Sequence, residues 1–254
     1  MTIAITRAVS PSLARCELTH LAREPIDPTR AAAQHTDYER CLAKLGVDLV
    51  RLPPEPGLPD SVFVEDTAIV LDEMAVITRP GAASRHPETA AVADALRSYR
   101  DLAFIVAPGT VDGGDVLTVG RQVYVGLSSR TSASGVEQLR QILAPLGYHL
   151  TALAVNGCLH LKSAVTQVAP DTLLVNHNWV DGGAFPGMRL VAVDPTEPHA
   201  ANALAISDTV VFPAAFERTQ DRLRELGLTV LPVDVSELAK AEGGVTCCSL
   251  LVER

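Results

Sequence analysis

The stretch Phe63-Val64-Glu65-Asp66-Thr67-Ala68-Ile69-Val70, turned by Asp72-Glu73 into Ala75-Val76-Ile77-Thr78, sets a grammar that returns along the chain. A polar residue leads an apolar strand, a tight turn reverses it into a second strand, and a helix often follows. In this first unit a helical stretch near Glu88–Arg97 and a strand at Ala103–Val106 complete the pattern. The second unit runs through Gly114-Asp115-Val116-Leu117-Thr118-Val119, turns at Gly120-Arg121, and returns as Val123-Tyr124-Val125-Gly126. Its helix spans about Ala133–Leu146, with apolar residues at helical spacing and Gly147 as the stop. The third starts at Leu159-His160-Leu161-Lys162, passes Val165 to Val168 and returns through Thr172–Val175. The fourth opens at Asn202-Ala203-Leu204-Ala205-Ile206 and returns through Val210-Val211-Phe212; a helix over about Ala215–Leu226 ends at Gly227 before a strand at Thr229–Pro232. The fifth, Thr246–Val252, takes the amino-terminal strand Ile3–Ala8 and a helix over about Arg30–Leu45 to be complete.

With Asp66, Asp115, His160, Asn202 and Cys247 as markers, the units follow one another at intervals of 42 to 49 residues. A ring closed by the two terminal strands leaves no long sheet edge exposed. The sequence therefore predicts an α/β fold, a five-bladed α/β propeller of ββαβ repeats, forming one domain over residues 1–254. An irregular α/β sandwich is the plainer alternative. In a propeller, equivalent positions of the units converge on one axis, so Asp66, His160 and Cys247 are expected to share a cavity.

Composition narrows the partners. At 254 residues and 47% apolar, the chain can bury a full core. A net charge of −9, with no block of Lys or Arg, argues against nucleic acid or an anionic membrane as a partner. The start, Met1-Thr2-Ile3-Ala4-Ile5-Thr6-Arg7, lacks the basic-then-apolar run of a signal peptide, and no apolar stretch has the length of a membrane span. Five cysteines, Cys16, Cys41, Cys158, Cys247 and Cys248, have no framework spacing, which points to free thiols in a reducing, cytoplasmic setting. The partner expected is a small molecule, met by a monomer or homodimer.

Several side chains are placed to do chemistry. Cys247 and Cys248 follow Gly243-Gly244 and open a short apolar strand, where they would point to opposite faces. Either thiol is a candidate nucleophile or a small core residue, and the residues alone do not choose between them. His160 lies in an apolar setting and would serve as a general acid, or as a hydrogen-bonded core residue. Cys158 and His160 do not have the spacing of a zinc site. Asp60, Glu65 and Asp66 surround one strand, and Asp112-Gly113-Gly114-Asp115 forms a second acidic turn. Of the neighbours Glu65 and Asp66, one must face inward; no basic residue is near in sequence, so a cationic ligand is a candidate partner. Arg85 and Arg130 occupy equivalent loops of the first two units and are suited to clamping a carboxylate. A ligand with a cationic end and a carboxylate end is an amino acid with a cationic side chain.

Leu52-Pro53-Pro54, Phe63-Val64-Glu65-Asp66, Ile77-Thr78-Arg79-Pro80-Gly81, Asp112-Gly113-Gly114-Asp115, Val125-Gly126-Leu127-Ser128-Ser129-Arg130-Thr131, Leu159-His160-Leu161-Lys162 and Thr246-Cys247-Cys248-Ser249 together resemble the dimethylarginine dimethylaminohydrolase family. The match runs in order from about residue 50 to the end. That family belongs to the guanidino-group-modifying enzymes, which share the pentein propeller. The resemblance implies hydrolysis of dimethylarginine or monomethylarginine to citrulline through a covalent cysteine intermediate, with no metal or organic cofactor. It implies Cys247 as nucleophile, His160 as proton donor and then activator of water, and Asp112 as the residue that orients His160. Asp66 would hold the guanidinium together with Asp112, Arg85 and Arg130 would bind the α-carboxylate, and Asp60 and Glu65 would shape the pocket. Leu18 would sit on a lid over the substrate, in a loop of roughly Ser10–Pro25. Asp112 stands where some bacterial members carry Glu. The alternatives are an arginine deiminase-like hydrolase of another guanidine, which is usually a longer chain, and a non-catalytic propeller that only binds.

Overall fold

A computed structural model describes every residue from 1 to 254 and contains five three-stranded sheets. In each, the middle strand pairs antiparallel with one neighbour and parallel with the other. The first joins the chain ends: β1 (Thr2–Arg7) pairs antiparallel with the last strand, β15 (Leu250–Glu253), and parallel with β2 (Asp48–Leu52) across helix α1 (Pro28–Lys44). The second contains β3 (Ala68–Val70), β4 (Met74–Ile77) and β5 (Asp101–Phe104), with α2 (Thr89–Leu96) in the crossover. The third contains β6 (Val116–Val119), β7 (Gln122–Leu127) and β8 (His149–Ala154), crossed by α3 (Ala133–Leu143). A one-turn helix, α4 (Leu161–Ala164), leads into the fourth: β9 (Val165–Ala169), β10 (Thr172–Val175) and β11 (Arg189–Ala192). The fifth holds β12 (Leu204–Ile206), β13 (Thr209–Pro213) and β14 (Thr229–Val233), crossed by α5 (Glu217–Glu225); the short α6 (Ser236–Ala239) then leads back to β15.

The five sheets are the blades of the expected propeller. Residues of β3, β6, β9, β12 and β15 line a single cavity of about 310 Å³, so these strands surround the axis.

The crossover helices follow local rules. Pro28 starts α1, and the Asp27 carboxylate caps it by accepting from the Thr29 and Arg30 N–H groups. Its inner face carries Ala31, His35, Tyr38 and Leu42. Ser132 caps α3 by accepting from Gly135 N–H, and Val136, Leu139 and Leu143 face the sheet. Burying each of those leucines contributes about 1.5–3 kcal/mol. Both α3's extension and α5 end at glycines in the left-handed region, Gly147 (φ 80°) and Gly227 (φ 83°).

The structure shifts one expectation systematically. Each inner strand is shorter than its apolar run, because a turn precedes it. Val64–Thr67 is a 3-10 turn, as is Gly113–Asp115; His160 caps α4; Asn202 precedes β12; and Val245–Cys248 is a turn before β15. Asp66, Asp115 and Cys247 therefore sit on turns, as does Cys248, while His160 and Asn202 lie just ahead of α4 and β12, so strand alternation does not set which way the two thiols point. Polar side chains satisfy these turns: Thr67 Oγ1 donates to Val64 O (2.7 Å), and Asp115 Oδ1 accepts from Leu161 N–H (3.0 Å). Gly113 makes the second turn possible, since a Cβ there would lie 1.9 Å from the Glu65 carbonyl oxygen.

Candidate active site

Cys247, buried to 9% exposure, accepts a hydrogen bond at its Sγ from Gly244 N–H (3.2 Å). It lines a tight cavity shared with His160, Asp66, Asp60, Arg85 and Arg130. Three different blades and the final turn thus deliver one cluster.

His160 is held from both sides. Its Nε2 lies 3.0 Å from Asp112 Oδ2, and its Nδ1 lies 3.7 Å from Asp66 Oδ1. Asp112 is itself fixed: its Oδ1 accepts from Gly81 N–H (2.7 Å), and its own N–H donates to Thr131 Oγ1 (3.1 Å). Burial opposes a charge on His160, but the surrounding carboxylates of Asp66, Asp112 and Asp115 outweigh it and push its pKa up to about 9. His160 is therefore an imidazolium at neutral pH, ready to give a proton. Asp66 is likewise pulled down to about 2: burial alone would raise it, and the cations of His160 and Arg85 prevail.

The Cys247 thiol moves the other way. Burial, then the Glu65 and Asp66 charges, raise it above the ordinary thiol range; Gly244 N–H and the Lys162 ammonium partly offset this. Without a further cation, Cys247 is a thiol.

Asp66, Asp112 and His160 present donor atoms within 4.8 Å of one another. Within this set protein cations already balance the carboxylates, since Arg85 Nη1 lies 2.6 Å from Asp66 Oδ2.

Arg85 borders the cavity, but its guanidinium is heavily engaged. Besides Asp66, it meets both carboxylate oxygens of Glu88 and the Phe63 and Asp60 carbonyls. Arg130 has one side-chain partner, Thr19 Oγ1 at 3.0 Å. Both Asp60 oxygens accept from Glu17 N–H at 3.2 Å. Glu65 points away from this group. Its Oε1 pairs with Lys162 Nζ (2.6 Å), its Oε2 accepts from Thr246 Oγ1 (2.7 Å), and it borders the axial cavity instead. Neither Glu65 nor Asp66 lacks a cation within the chain: Glu65 faces Lys162, and Asp66, the inward one of the two, shares its Oδ2 with Arg85. Lys162 and Arg85 supply one each, from 97 and 19 residues away.

Leu18 is half-buried against the apolar cluster that contains Phe63 and Cys247, and it does not line the cavity. The loop around it is closed down. Thr19, His20 and Leu21 N–H groups all donate to the Glu242 carboxylate (2.5–2.9 Å), and Ser84 Oγ donates to Glu17 Oε1 (2.6 Å). Glu242 adopts a left-handed backbone (φ 59°) immediately before Gly243-Gly244. Glu88, Lys162 and Glu242 were not among the residues singled out from sequence; the proximity of Lys162 to His160 and of Glu242 to the Gly pair was the available signal. A second, largely apolar cavity of about 240 Å³ also opens onto Cys247, lined by Leu21, Leu159, Phe216 and Val235 among others.

Residues 55–185 match the arginine deiminase family model. A dimethylarginine dimethylaminohydrolase of Streptomyces coelicolor is 40% identical over 97% of this chain and 95% of its own. A cysteine-to-serine variant of the Pseudomonas aeruginosa enzyme, complexed with citrulline, superposes with a TM-score of 0.93 at 36% identity, covering 98% of each chain. An adduct of a histidine-to-glycine dimethylarginine dimethylaminohydrolase with S-methyl-L-thiocitrulline gives the same TM-score and identity over 99% of this chain and 100% of the other. No helix is long and apolar enough to cross a membrane. With a buried thiol, an imidazolium and paired carboxylates gathered on the axis of a five-bladed propeller, the chain belongs to the dimethylarginine dimethylaminohydrolase family, within the wider arginine deiminase family.

Proposed function

We propose that this chain hydrolyses Nω,Nω-dimethyl-L-arginine and monomethylarginine to L-citrulline, releasing dimethylamine or methylamine. The observation that carries the reading is the inverted protonation of one cavity: Cys247 is held as a thiol, while His160 beside it is held as an imidazolium. Such a site lacks a cation at the nucleophile, and a guanidinium supplies it.

Asp66 and Asp112 receive the guanidinium nitrogens, and the bound cation makes ionisation of Cys247 favourable, its proton passing to solvent. The Sγ lone pair forms a bond to the guanidinium carbon, whose C=N electrons move onto nitrogen. His160 gives its proton to the methylated nitrogen, the C–N bond breaks, and the amine departs. An S-alkylthiouronium remains on Cys247. Neutral His160 then takes a proton from water as its oxygen bonds to the same carbon. The C–S bond breaks, its electron pair restoring the thiolate, while the adduct's hydroxyl forms the C=O bond and loses its proton to solvent, and citrulline leaves.

Arg130, with its single side-chain partner, takes the α-carboxylate, and Arg85 backs it with charge while holding Asp66. Asp60 faces the α-ammonium end, and Leu18 rides on the lid that Glu242 holds. Glu65 shapes the site from behind, through Thr246. We place the protein in the cytoplasm, where its five free thiols stay reduced.

Citrulline release from dimethylarginine, monomethylarginine and unmethylated arginine, assayed side by side, tests the reading. Turnover of the methylated substrates alone, abolished in Cys247→Ser and largely kept in Cys248→Ser, is expected. Turnover of arginine alone, or equal loss in both cysteine variants, would overturn it.

A further inference from the structure

The turn that presents Cys247 is tied to a buried polar cluster the reaction itself does not use. Thr246, its neighbour, donates through Oγ1 to Glu65 Oε2 (2.7 Å) and accepts at the same oxygen from Asn202 Nδ2 (2.9 Å). The Thr246 N–H donates to Asn202 Oδ1 (3.1 Å). Asn202 Nδ2 also reaches the Lys162 carbonyl (3.0 Å), and the Glu65 N–H donates to the Cys247 carbonyl (3.2 Å).

 This last bond, 3.2 Å from the Glu65 nitrogen to the Cys247 oxygen, ties the two turns together directly. Gly244, whose N–H meets Cys247 Sγ, packs so closely on Asn202 that a Cβ would lie 2.3 Å from Asn202 Oδ1. Beneath all of these, Lys162 Nζ pairs with Glu65 Oε1 at 2.6 Å, largely out of solvent.

Glu65 is thus a carboxylate hydrogen-bonded to the residue before the nucleophile, and a negative charge there opposes a thiolate. The other charged or titratable groups facing Cys247 are Asp66 from the same turn as Glu65, Glu17, Asp60, Arg85 and Arg130 around the cavity, His160 from the third blade's exit, Glu242 from its own turn, and Tyr38 and Cys248 behind it; Arg85 is held by Asp66 and Glu88, and Arg130 by Thr19. His160 is committed to Asp66 and Asp112, which leaves Lys162 as the cation paired with Glu65.

We propose that Lys162 is a positioning residue for the reaction: through Glu65 it holds the Thr246–Cys247 turn in place and cancels the negative charge behind the nucleophile. The proposal rests on Cys247 being the nucleophile. It makes the Lys162–Glu65 pair a charge balance set against thiolate formation, rather than only a strut across the axis.

The test measures the pH dependence of iodoacetamide labelling at Cys247, located by peptide mass, alongside kcat and KM for dimethylarginine. Lys162→Met is expected to raise the labelling midpoint by about one pH unit and to lower kcat about tenfold, with KM little changed. Glu65→Gln is expected to lower the midpoint, and the double variant Lys162→Met/Glu65→Gln to return it toward wild type. Lys162→Arg, which keeps the charge, is expected to recover most of kcat. If Lys162→Met does not fold, the opposite shift in Glu65→Gln and its value in the double variant still decide the matter. Midpoints that do not move, or that move the same way in both single variants, would overturn the proposal while leaving Cys247 as nucleophile. Full turnover in Cys247→Ser would overturn the nucleophile assignment itself, a result distinct from either.

Discussion

The Arg85 guanidinium lies 2.6 Å from the Asp66 carboxylate, and each side chain is only 4% exposed. With Glu88 on its other side, Arg85 forms the middle of a buried charge cluster behind the cavity. A pair of this kind costs much to bury and costs more to break on one side. Arg85→Gln is therefore expected to destabilise the fold by about 3–5 kcal/mol and to lower kcat/KM as Asp66 loses its position. Arg130→Gln separates binding from stability: KM should rise about 10- to 100-fold with the melting temperature nearly unchanged. Thermal melts and steady-state kinetics on the two variants check both statements.

The proton on His160 sets an alkaline limit. Its folded pKa of about 9 lies above the ordinary histidine value of 6.5. Activity that depends on the imidazolium should fall as pH rises through about 9. The same shift stabilises the fold: the contribution is full below pH 6.5 and is lost as pH rises through about 9. Asp112→Asn, which removes one of the carboxylates holding the proton, is expected to move the alkaline limb of kcat/KM toward lower pH. A pH–rate profile of the two proteins is the check.

His35 governs the opposite end. It is fully buried in α1, without a well-formed hydrogen bond to either ring nitrogen, although the Cys248 backbone lies near enough to ease its charging slightly. Burial, aided by the Arg51 charge, lowers its pKa from 6.5 to about 4. An unfolded chain therefore binds this proton first, and stability is lost as pH falls from 6.5 toward 4. The loss attributable to this group is about 3 kcal/mol at full protonation. His35→Leu should flatten that part of the stability curve, measured by urea unfolding at stepped pH.

Glu242 holds the lid. Three consecutive lid N–H groups converge on its carboxylate, and it does so from a left-handed backbone position. Glu242→Ala is expected to speed hydrogen exchange at residues 19–21 and to raise KM about tenfold, with a smaller effect on kcat. Exchange rates equal to wild type would show that other contacts close the loop.

The blade repeat was legible because its signals are local. Apolar pairs around a tight turn and glycine-stopped helices recur in Val116–Val125, Ala133–Gly147 and Leu204–Gly227. The fourth blade was only partly legible, since its crossover carries the 3-10 turn Gly182–Ala184 in place of a helix and ends in the short strand Arg189–Ala192. Strand β2, Asp48–Leu52, was missed for a related reason: its mostly exposed, charged residues hide a parallel edge. The turns before β3, β6 and β15 were invisible because Val64, Asp115 and the Cys247–Cys248 pair open apolar runs that read as strand, whereas axial side chains such as Asp115 and Thr67 draw the backbone into turns.

At the site, residue types marked out Asp66, His160, Cys247 and the two arginines, and the structure gathers them around one cavity. What adjacency along the chain concealed was the pairing. Glu65 meets Lys162 from 97 residues away, and Glu242 reaches lid residues more than 220 positions distant, with only the ring closure to join them.

In this mechanism Cys247 carries the amidino intermediate and a neighbouring imidazolium releases the amine. Acid quenching of the enzyme during steady-state turnover of dimethylarginine, followed by peptide mass analysis, tests it most directly. A substrate-derived adduct, formed with loss of dimethylamine, is expected on the peptide containing Cys247 and on that sulfur alone. An adduct on Cys248 or Cys158, or citrulline formation in Cys247→Ser at the wild-type rate, would contradict it.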